Sequence, residues 1–253
     1  MKNESFNQAL IYDDHCPLCK AYTAAFVKGG LLEKQHRISF SEVNIKAHKI
    51  DWEKAKHEIP LINLTTGEVK YGVDALAEIL QQKIFFIQPI LKIKVVNWCM
   101  KKLYALISYN RKIIVAKRVV ANNHFDCSPR YNFFWRLMFA FVLLGMNQFF
   151  IEKTIDHLQL EIANNNFILF NVLITLACFV VMIFFKKKLL TDAIVHILLS
   201  VLVASSFVCL LSFILKYFLV APIIFYVVSV IALFIFTQQI IQRYHFMKHT
   251  SML

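Results

Sequence analysis

The chain has 253 residues, of which 58% are hydrophobic and 17% charged, with a formal net charge of +12. A typical soluble domain carries about a quarter charged residues, so this composition excludes a chain bathed throughout in water. Charge is concentrated in residues 1–130, while residues 133–241 hold long stretches of Phe, Ile, Leu and Val, which implies one aqueous and one lipid compartment.

The opening segment Met1 to Asn7 is polar, and the first apolar run, Ala9 to Tyr12, is far too short for a secretory signal core. The N-terminal region is therefore expected to stay on the side where it is made. Of the six cysteines only Cys16 and Cys19 are close in sequence, and Cys178 and Cys209 lie within apolar stretches. A structural disulfide framework is not indicated.

Within residues 1–82 strand and helix signals alternate. Ala9 to Tyr12 predicts a short buried strand, followed at once by Asp13-Asp14-His15-Cys16-Pro17-Leu18-Cys19. Lys20 to Lys28 predicts a helix ended by Gly29-Gly30. Ile38 to Val43 predicts a second strand, and Asp51 to His57 a short helical stretch. Pro60 to Asn63 and Val69 to Tyr71, joined across Thr65-Thr66-Gly67, predict a hairpin. Val73 to Gln81 closes the region as a helix. The order βαβαββα is the thioredoxin arrangement.

A thiol at the start of a helix faces unpaired backbone N–H groups and the positive end of the helix dipole. Both favour the thiolate, which is the nucleophile. Pro17 suits the first helical turn because its missing N–H forfeits no bond there. The two-residue spacing returns Cys19 to Cys16, so Cys16 is expected to attack a disulfide and Cys19 to resolve the mixed disulfide. A lone Cys-x-x-Cys is also half a zinc site, and His15 sits beside it. Zinc needs two further ligands, for which only Cys127 with His124 would serve, if the fold brings them near. The strand–turn–helix context favours redox chemistry and no bound metal. Ile59-Pro60 stands where thioredoxin folds place a cis-proline opposite the dithiol, and a cis bond is expected there rather than an ordinary trans strand-start proline.

These residues resemble the DCC family of thiol-disulfide oxidoreductase-like proteins, named for an Asp-x-x-Cys-x-x-Cys pattern that Asp13, Cys16 and Cys19 match. The family usually shows Gly where Asp14 stands. Ile59-Pro60, the Tyr71-Gly72-Val73-Asp74-Ala75-Leu76 helix entry, and Leu103 to Arg111 with Cys127 beyond also fit. The resemblance covers roughly residues 8–130. It implies a thioredoxin-like fold and dithiol redox activity, and a role for Asp13 near the thiols. That role is proton acceptor when Cys19 attacks, if burial raises its pKa. The other reading of Asp13 is a cap on the helix that begins at Cys16 or Pro17.

Residues 83–130 hold 10 Lys/Arg against Asp126 alone, whereas residues 1–82 hold 10 against 11 Asp/Glu. A basic block beside a membrane entry point fits the anionic cytoplasmic leaflet. Nucleic acid is the other partner for such a stretch, but this one abuts the first span, so no nucleic-acid partner is expected. Lys94, Asn97, Lys101 and Ser108 recur at helical spacing. This predicts either a helical extension packed on the thioredoxin core or an interfacial helix near the bilayer.

A crossing helix needs about 20 largely apolar residues. Four stretches qualify: 133–151, 167–185, 193–215 and 218–237. Arg136 interrupts the first, where it is expected to snorkel to the headgroups. Lys186-Lys187-Lys188 and the tail residues Arg243 and Lys248 then share the cytoplasmic side with the N-terminal region. The loop Glu152 to Asn166, with three acids and one Lys, faces the other side. Asp192 and His196 predict an interfacial pair at a helix end, with a proton or quinone site as the alternative. Asn147, Asn171 and Ser205-Ser206 are expected to pack helices together, and Cys178 and Cys209 to serve packing as well.

The sequence thus predicts an α/β thioredoxin-like domain over 1–82, a basic helical extension over 83–132, and an all-α membrane domain over 133–253. The expected function is a membrane-anchored thiol-disulfide oxidoreductase in a bacterial inner membrane, with both termini cytoplasmic. Catalysis is assigned to Cys16, Cys19 and Asp13, and substrate contact to Pro17, Leu18, Ile59 and Pro60. No cofactor beyond the dithiol is expected. The expected partners are the lipid bilayer, a disulfide or thiol substrate, and a membrane protein bound through the helical bundle. The competing reading is a non-catalytic scaffold or metal-handling assembly factor.

Overall fold

The computed structural model describes residues 7–42, 50–116, 129–158, 180, 188–215 and 221–250. The chain divides into two units, Met1–Tyr131 and Asn132–Leu253.

The first unit runs β1 (Gln8–Tyr12), α1 (Pro17–Lys28), a 3-10 turn (Lys34–His36), β2 (Arg37–Ser39), α2 (Trp52–Ala55), β3 (Pro60–Asn63), β4 (Val69–Tyr71), α3 (Gly72–Leu80), α4 (Ile87–Lys92) and α5 (Lys94–Ile114). The four strands form one mixed sheet in the order β2-β1-β3-β4. β1 runs parallel to β2, with Leu10 opposite Arg37, and antiparallel to β3, with Leu10 opposite Leu61. The small mixed sheet with its helices is consistent with a thioredoxin-like fold.

Successive side chains of a strand point to opposite faces, and a sheet covered on both sides needs apolar residues on each. Leu10 and Tyr12 of β1 accordingly join Leu61, Ala75 and Ile79 in one core, against Tyr22 and Phe26 of α1. Ile11 joins Ile62, Phe40 and Ala55 in the other, against Trp52. That double coverage matches the apolar run of β1 from Ala9 to Tyr12, and the exit of the strand delivers Asp13 and Cys16.

Several boundaries differ from the sequence expectation. α1 begins at Pro17, three residues ahead of the Lys20–Lys28 stretch, with Pro17 in the first turn as expected and Cys16 in the N-cap position. β2 is shorter, ending at Ser39; Val43 lies outside the described residues. The Ile59–Pro60 bond is trans, since no cis peptide occurs among the described residues. Here Ile59 is held by its own polar groups: its N–H donates to the Tyr104 hydroxyl at 2.9 Å, and its carbonyl accepts from the Gly72 N–H at 2.9 Å.

α5 packs on this framework with one polar face inward. Lys101 pairs with Asp74 of α3 at 3.1 Å, Tyr104 accepts from Ile59, Ser108 donates to the His57 carbonyl, and Arg111 reaches the end of β1. Residues 117–128, with Cys127 and His124, lie outside the described residues.

The second unit contains α6 (Phe133–Leu158), α7 (Lys188–Leu215) and α8 (Ala221–Thr250). Among the described residues two helices, Phe133–His157 and Lys188–Ile214, are long and apolar enough to cross a membrane. The expected span 167–185, with Asn171 and Cys178, lies outside the described residues save Val180, and so does Glu161. The expected third and fourth spans fall on α7 and α8. Glu152 and Asp156, expected in a loop, sit in the last turns of α6, where Lys153 pairs with Asp156 at 3.2 Å.

Polar side chains align α6 with α7. Arg136 near the start of α6 pairs with Asp192 near the start of α7 at 2.8 Å. Asn147 donates to the Leu198 carbonyl at 3.1 Å and accepts from the Ser205 hydroxyl at 3.1 Å. His157 meets Ser212 at 3.3 Å near the two C-termini. The two helices therefore run parallel. Arg243, late in α8, meets His196, early in α7, at 3.2 Å, so α7 and α8 run antiparallel. The expected Asp192–His196 pair is thus replaced by two cross-helix contacts. Arg136 turns inward to a carboxylate instead of snorkelling, because away from water an ion pair is the better partner for a guanidinium. Asn147 and Ser205 pack helices as expected.

Gly72 adopts φ +57° at the β4–α3 junction, where its N–H holds the Ile59 carbonyl. A Cβ there would lie 3.2–3.3 Å from the Glu58 side chain. Gly72→Ala is expected to cost about 1–2 kcal/mol from the left-handed backbone alone. Pulse proteolysis of the full chain across urea concentrations measures it, and an unshifted midpoint would contradict the strain.

Candidate active site

The turn after β1 is closed by its own carboxylate. Asp13 Oδ1 accepts the backbone N–H groups of His15 at 2.9 Å and Cys16 at 3.1 Å, while the Asp13 carbonyl accepts the Cys16 N–H at 3.2 Å. This wrapping sets Cys16 at the N-cap of α1, with φ −88°, ψ 113° and Pro17 next to it. The side chain at that position faces the unpaired N–H groups of the first turn. The Asp13 carboxylate thus closes the turn that precedes α1.

Cys16 and Cys19 are free thiols, 9% and 5% exposed. The Cys19 thiol donates to the Cys16 sulfur, and this is the chief reason why Cys16 is lowered to about 6. The Cys19 backbone N–H and the nearby Arg111 charge act in the same direction, while burial and Asp13 oppose them. The same hydrogen bond, with burial, pushes Cys19 far above the ordinary thiol value. One proton is therefore held between two sulfurs, on Cys19, and Cys16 is the thiolate.

Arg111 organises the inner wall. Its Nη2 donates to Asp13 Oδ2 at 3.2 Å and to the Lys56 carbonyl at 3.3 Å, and its Nη1 lies 3.9 Å from Cys19 Sγ. Burial opposes the guanidinium's charge, but Cys19, Asp13 and Cys16 together raise its pKa. Two phenols complete the wall. Tyr22 is raised well above its ordinary value by burial and by Cys19, and burial pushes Tyr104 up to about 12. Below α1, the Thr23 hydroxyl donates to the Cys19 carbonyl at 2.7 Å and accepts from Arg37 Nε at 2.9 Å, pinning the first turn to β2.

Pro17 and Leu18 are half-buried on the first turn of α1, and Ile59 and Pro60 are buried at the head of β3. Ile59 joins the site through Tyr104, whose hydroxyl it holds. Among the described residues no group of three or more His, Cys, Asp or Glu side chains is arranged to hold a metal ion.

Arg111, Tyr104 and Tyr22 were not singled out as site residues. The signal was present in α5: Asn97, Lys101, Tyr104, Ser108 and Arg111 recur every three or four residues, one face of a helix. Which thiol, strand or carboxylate that face would meet is a tertiary fact.

With its pKa at about 6, Cys16 is about nine-tenths thiolate at pH 7. Its alkylation by iodoacetamide should fall off only as pH drops through about 6, not through the ordinary thiol value of 9.0. Cys19→Ala removes the largest cause and should move the midpoint most of the way back; Arg111→Met should move it upward by less. A wild-type midpoint at the ordinary thiol value would overturn this electrostatic account.

Residues 10–117 match the model of the DCC1-like thiol-disulfide oxidoreductase family. No curated protein and no solved structure matches the chain. The match opens within β1, takes in Asp13, Cys16, Cys19 and the whole of α5, and ends before the second unit begins. The N-terminal unit is thus similar, over residues 10–117, to the DCC1-like thiol-disulfide oxidoreductase family.

Proposed function

We propose that the protein is a membrane-anchored oxidoreductase whose Cys16-Pro17-Leu18-Cys19 dithiol exchanges with disulfides on the cytoplasmic side. The observation that carries this reading is the unlike setting of the two sulfurs: Cys16 at the head of α1 and Cys19 deeper, 3.9 Å from Arg111 Nη1.

The Cys16 thiolate attacks one sulfur of a substrate disulfide and expels the other as a thiolate, forming a mixed disulfide. Cys16 then no longer accepts the Cys19 proton, and Cys19 must ionise to attack the Cys16 sulfur. Arg111 stabilises that thiolate, and Asp13 is the nearby carboxylate that takes up the proton, passing it to the leaving thiol. The second substrate sulfur leaves as a thiol with the Cys19 proton, and the first, expelled as a thiolate, takes its proton from water. Cys16 and Cys19 form a disulfide, so that two electrons have passed to the substrate. A thiol reductant restores the pair; no further cofactor takes part. Pro17 and Leu18, with Ile59 and Pro60, form the edge against which the substrate lies. A cytoplasmic setting favours reduction or transient exchange over lasting disulfide formation.

Two apolar helices support anchoring. The parallel run of α6 and α7 supports four crossings over three, because parallel neighbours start on the same side of a membrane. Four crossings, with the lysine-rich flanks inside, keep both termini in the cytoplasm, at a bacterial inner membrane. The bundle is also the natural surface for a membrane-protein partner.

Thiol trapping of the purified full chain across glutathione ratios should show one reversible two-electron transition, at a potential in the cytosolic range of about −220 to −320 mV. Cys19→Ser should accumulate mixed disulfides with substrate, and Cys16→Ser should not. A pair that stays reduced at every ratio would sink the oxidoreductase reading.

A further inference from the structure

α4 and α5 leave an apolar strip facing outward. Phe85 is 84% exposed, Val95 69%, Trp98 63%, Ile93 55%, Phe86 52% and Leu103 48%. The inward face of α5 is taken by Tyr104, Ser108 and Arg111, so the strip occupies the side left over. Large apolar groups gathered in this way mark an interaction surface rather than scattered exposure.

The segment that carries the strip is charged with one sign. Residues 83–116 contain Lys83, Lys92, Lys94, Lys101, Lys102, Arg111 and Lys112 and no acidic residue. From the neighbouring elements, Asp74 of α3 faces Lys101 at 3.1 Å, and the Gly29 carbonyl faces Lys83. The Lys102 ammonium lies 5.8 Å from the Trp98 ring centroid. Asp74 and Glu78 of α3 share the cleft beside Trp98, paired with Lys101 and Lys70. Lys92 and Lys94 in the same cleft leave this border net positive, which together with the apolar side chains complements an acyl layer beneath anionic headgroups.

We propose that the α4–α5 strip docks onto the anionic surface of the membrane in which this same chain is anchored, with Trp98 and Phe85 entering the headgroup–acyl boundary. The proposal rests on the anchored reading above. Tethering makes docking intramolecular, so a strip too small to recruit a free domain suffices to hold a tethered one. The helix that would lie on the bilayer is also the helix that carries Arg111 to Cys19. Docking would therefore hold the dithiol roughly one helix diameter, about 10 Å, from the headgroups and select membrane-proximal disulfides.

Three full-length variants, each keeping one of Trp52, Trp98 and Trp135 with the other two changed to Phe, test this in vesicles of phosphatidylcholine and phosphatidylglycerol with brominated acyl chains. Trp135 in α6 reports insertion, Trp98 the docking and Trp52 the far core. The expected result is quenching of Trp135, quenching of Trp98 by roughly twofold or more, and little effect on Trp52. Each lysine near an anionic surface is worth about fivefold in partitioning. Lys92→Glu with Lys94→Glu, or removal of phosphatidylglycerol, should thus abolish the Trp98 signal and spare Trp135. Thiol trapping of Cys16 and Cys19 checks that each variant is folded. Quenched Trp135 with unquenched Trp98 overturns the docking and leaves the anchor standing. Unquenched Trp135 overturns the anchor, and the docking with it. Trp98 quenching indifferent to the lysines and to lipid charge, or Trp98 shielding that appears only at high protein-to-lipid ratio, overturns the lipid assignment in favour of an uncharged or protein partner.

Discussion

The ion pair between Asp13 and Arg111, each about 10% exposed, is the contact on which the active unit turns. Two charges removed from water are costly, and removing one partner of such a pair typically costs about 3–5 kcal/mol. The pair is sustained because its remaining valences are used: Asp13 also closes the turn before α1, and Arg111 also holds the Lys56 carbonyl. One contact thereby fixes the N-cap geometry of Cys16, the seat of α5 on the sheet, and a positive charge beside Cys19.

The two sulfurs gain opposite characters from this arrangement although they sit on one helical turn. Cys16 gathers donors: the Cys19 thiol, the Cys19 N–H and the head of α1. Cys19 lies deeper, between its own proton and the guanidinium. The same group that stabilises the reduced pair is therefore in place when the proton must leave. The matched family region includes α5, the helix that brings Arg111 and Tyr104 to the dithiol.

In the second unit charge is likewise turned inward. Arg136 with Asp192, and His196 with Arg243, meet across helices at the end where α6 and α7 begin and α8 finishes. Asn147 and Ser205 clasp the middle. Apolar side chains are interchangeable along such helices, whereas a polar contact has one partner, so these contacts fix the register between the helices.

Period and punctuation carried much of this in the sequence. The strand at Ala9–Tyr12, the hairpin at Pro60–Tyr71 and the helix closed by Gly29-Gly30 followed from local rules: apolar runs, turn residues and breakers. The dithiol at a strand–helix junction followed from the Cys-Pro-Leu-Cys spacing. The trans bond at Pro60 did not, because its setting depends on Tyr104 and Gly72, distant in the chain. Arg111 was legible as part of a polar helical face but not as the partner of residues nearly a hundred positions earlier. Likewise, Arg136 read as a flaw in an apolar stretch until Asp192 stood opposite it. The sequence by itself determined the strand–turn–helix order around Cys16 and Cys19, the hairpin at Pro60–Tyr71, and the apolar character of α6 and α7. Only the tertiary structure decided which charges meet, because pairing between distant residues depends on how packed elements cross, and no local period encodes that.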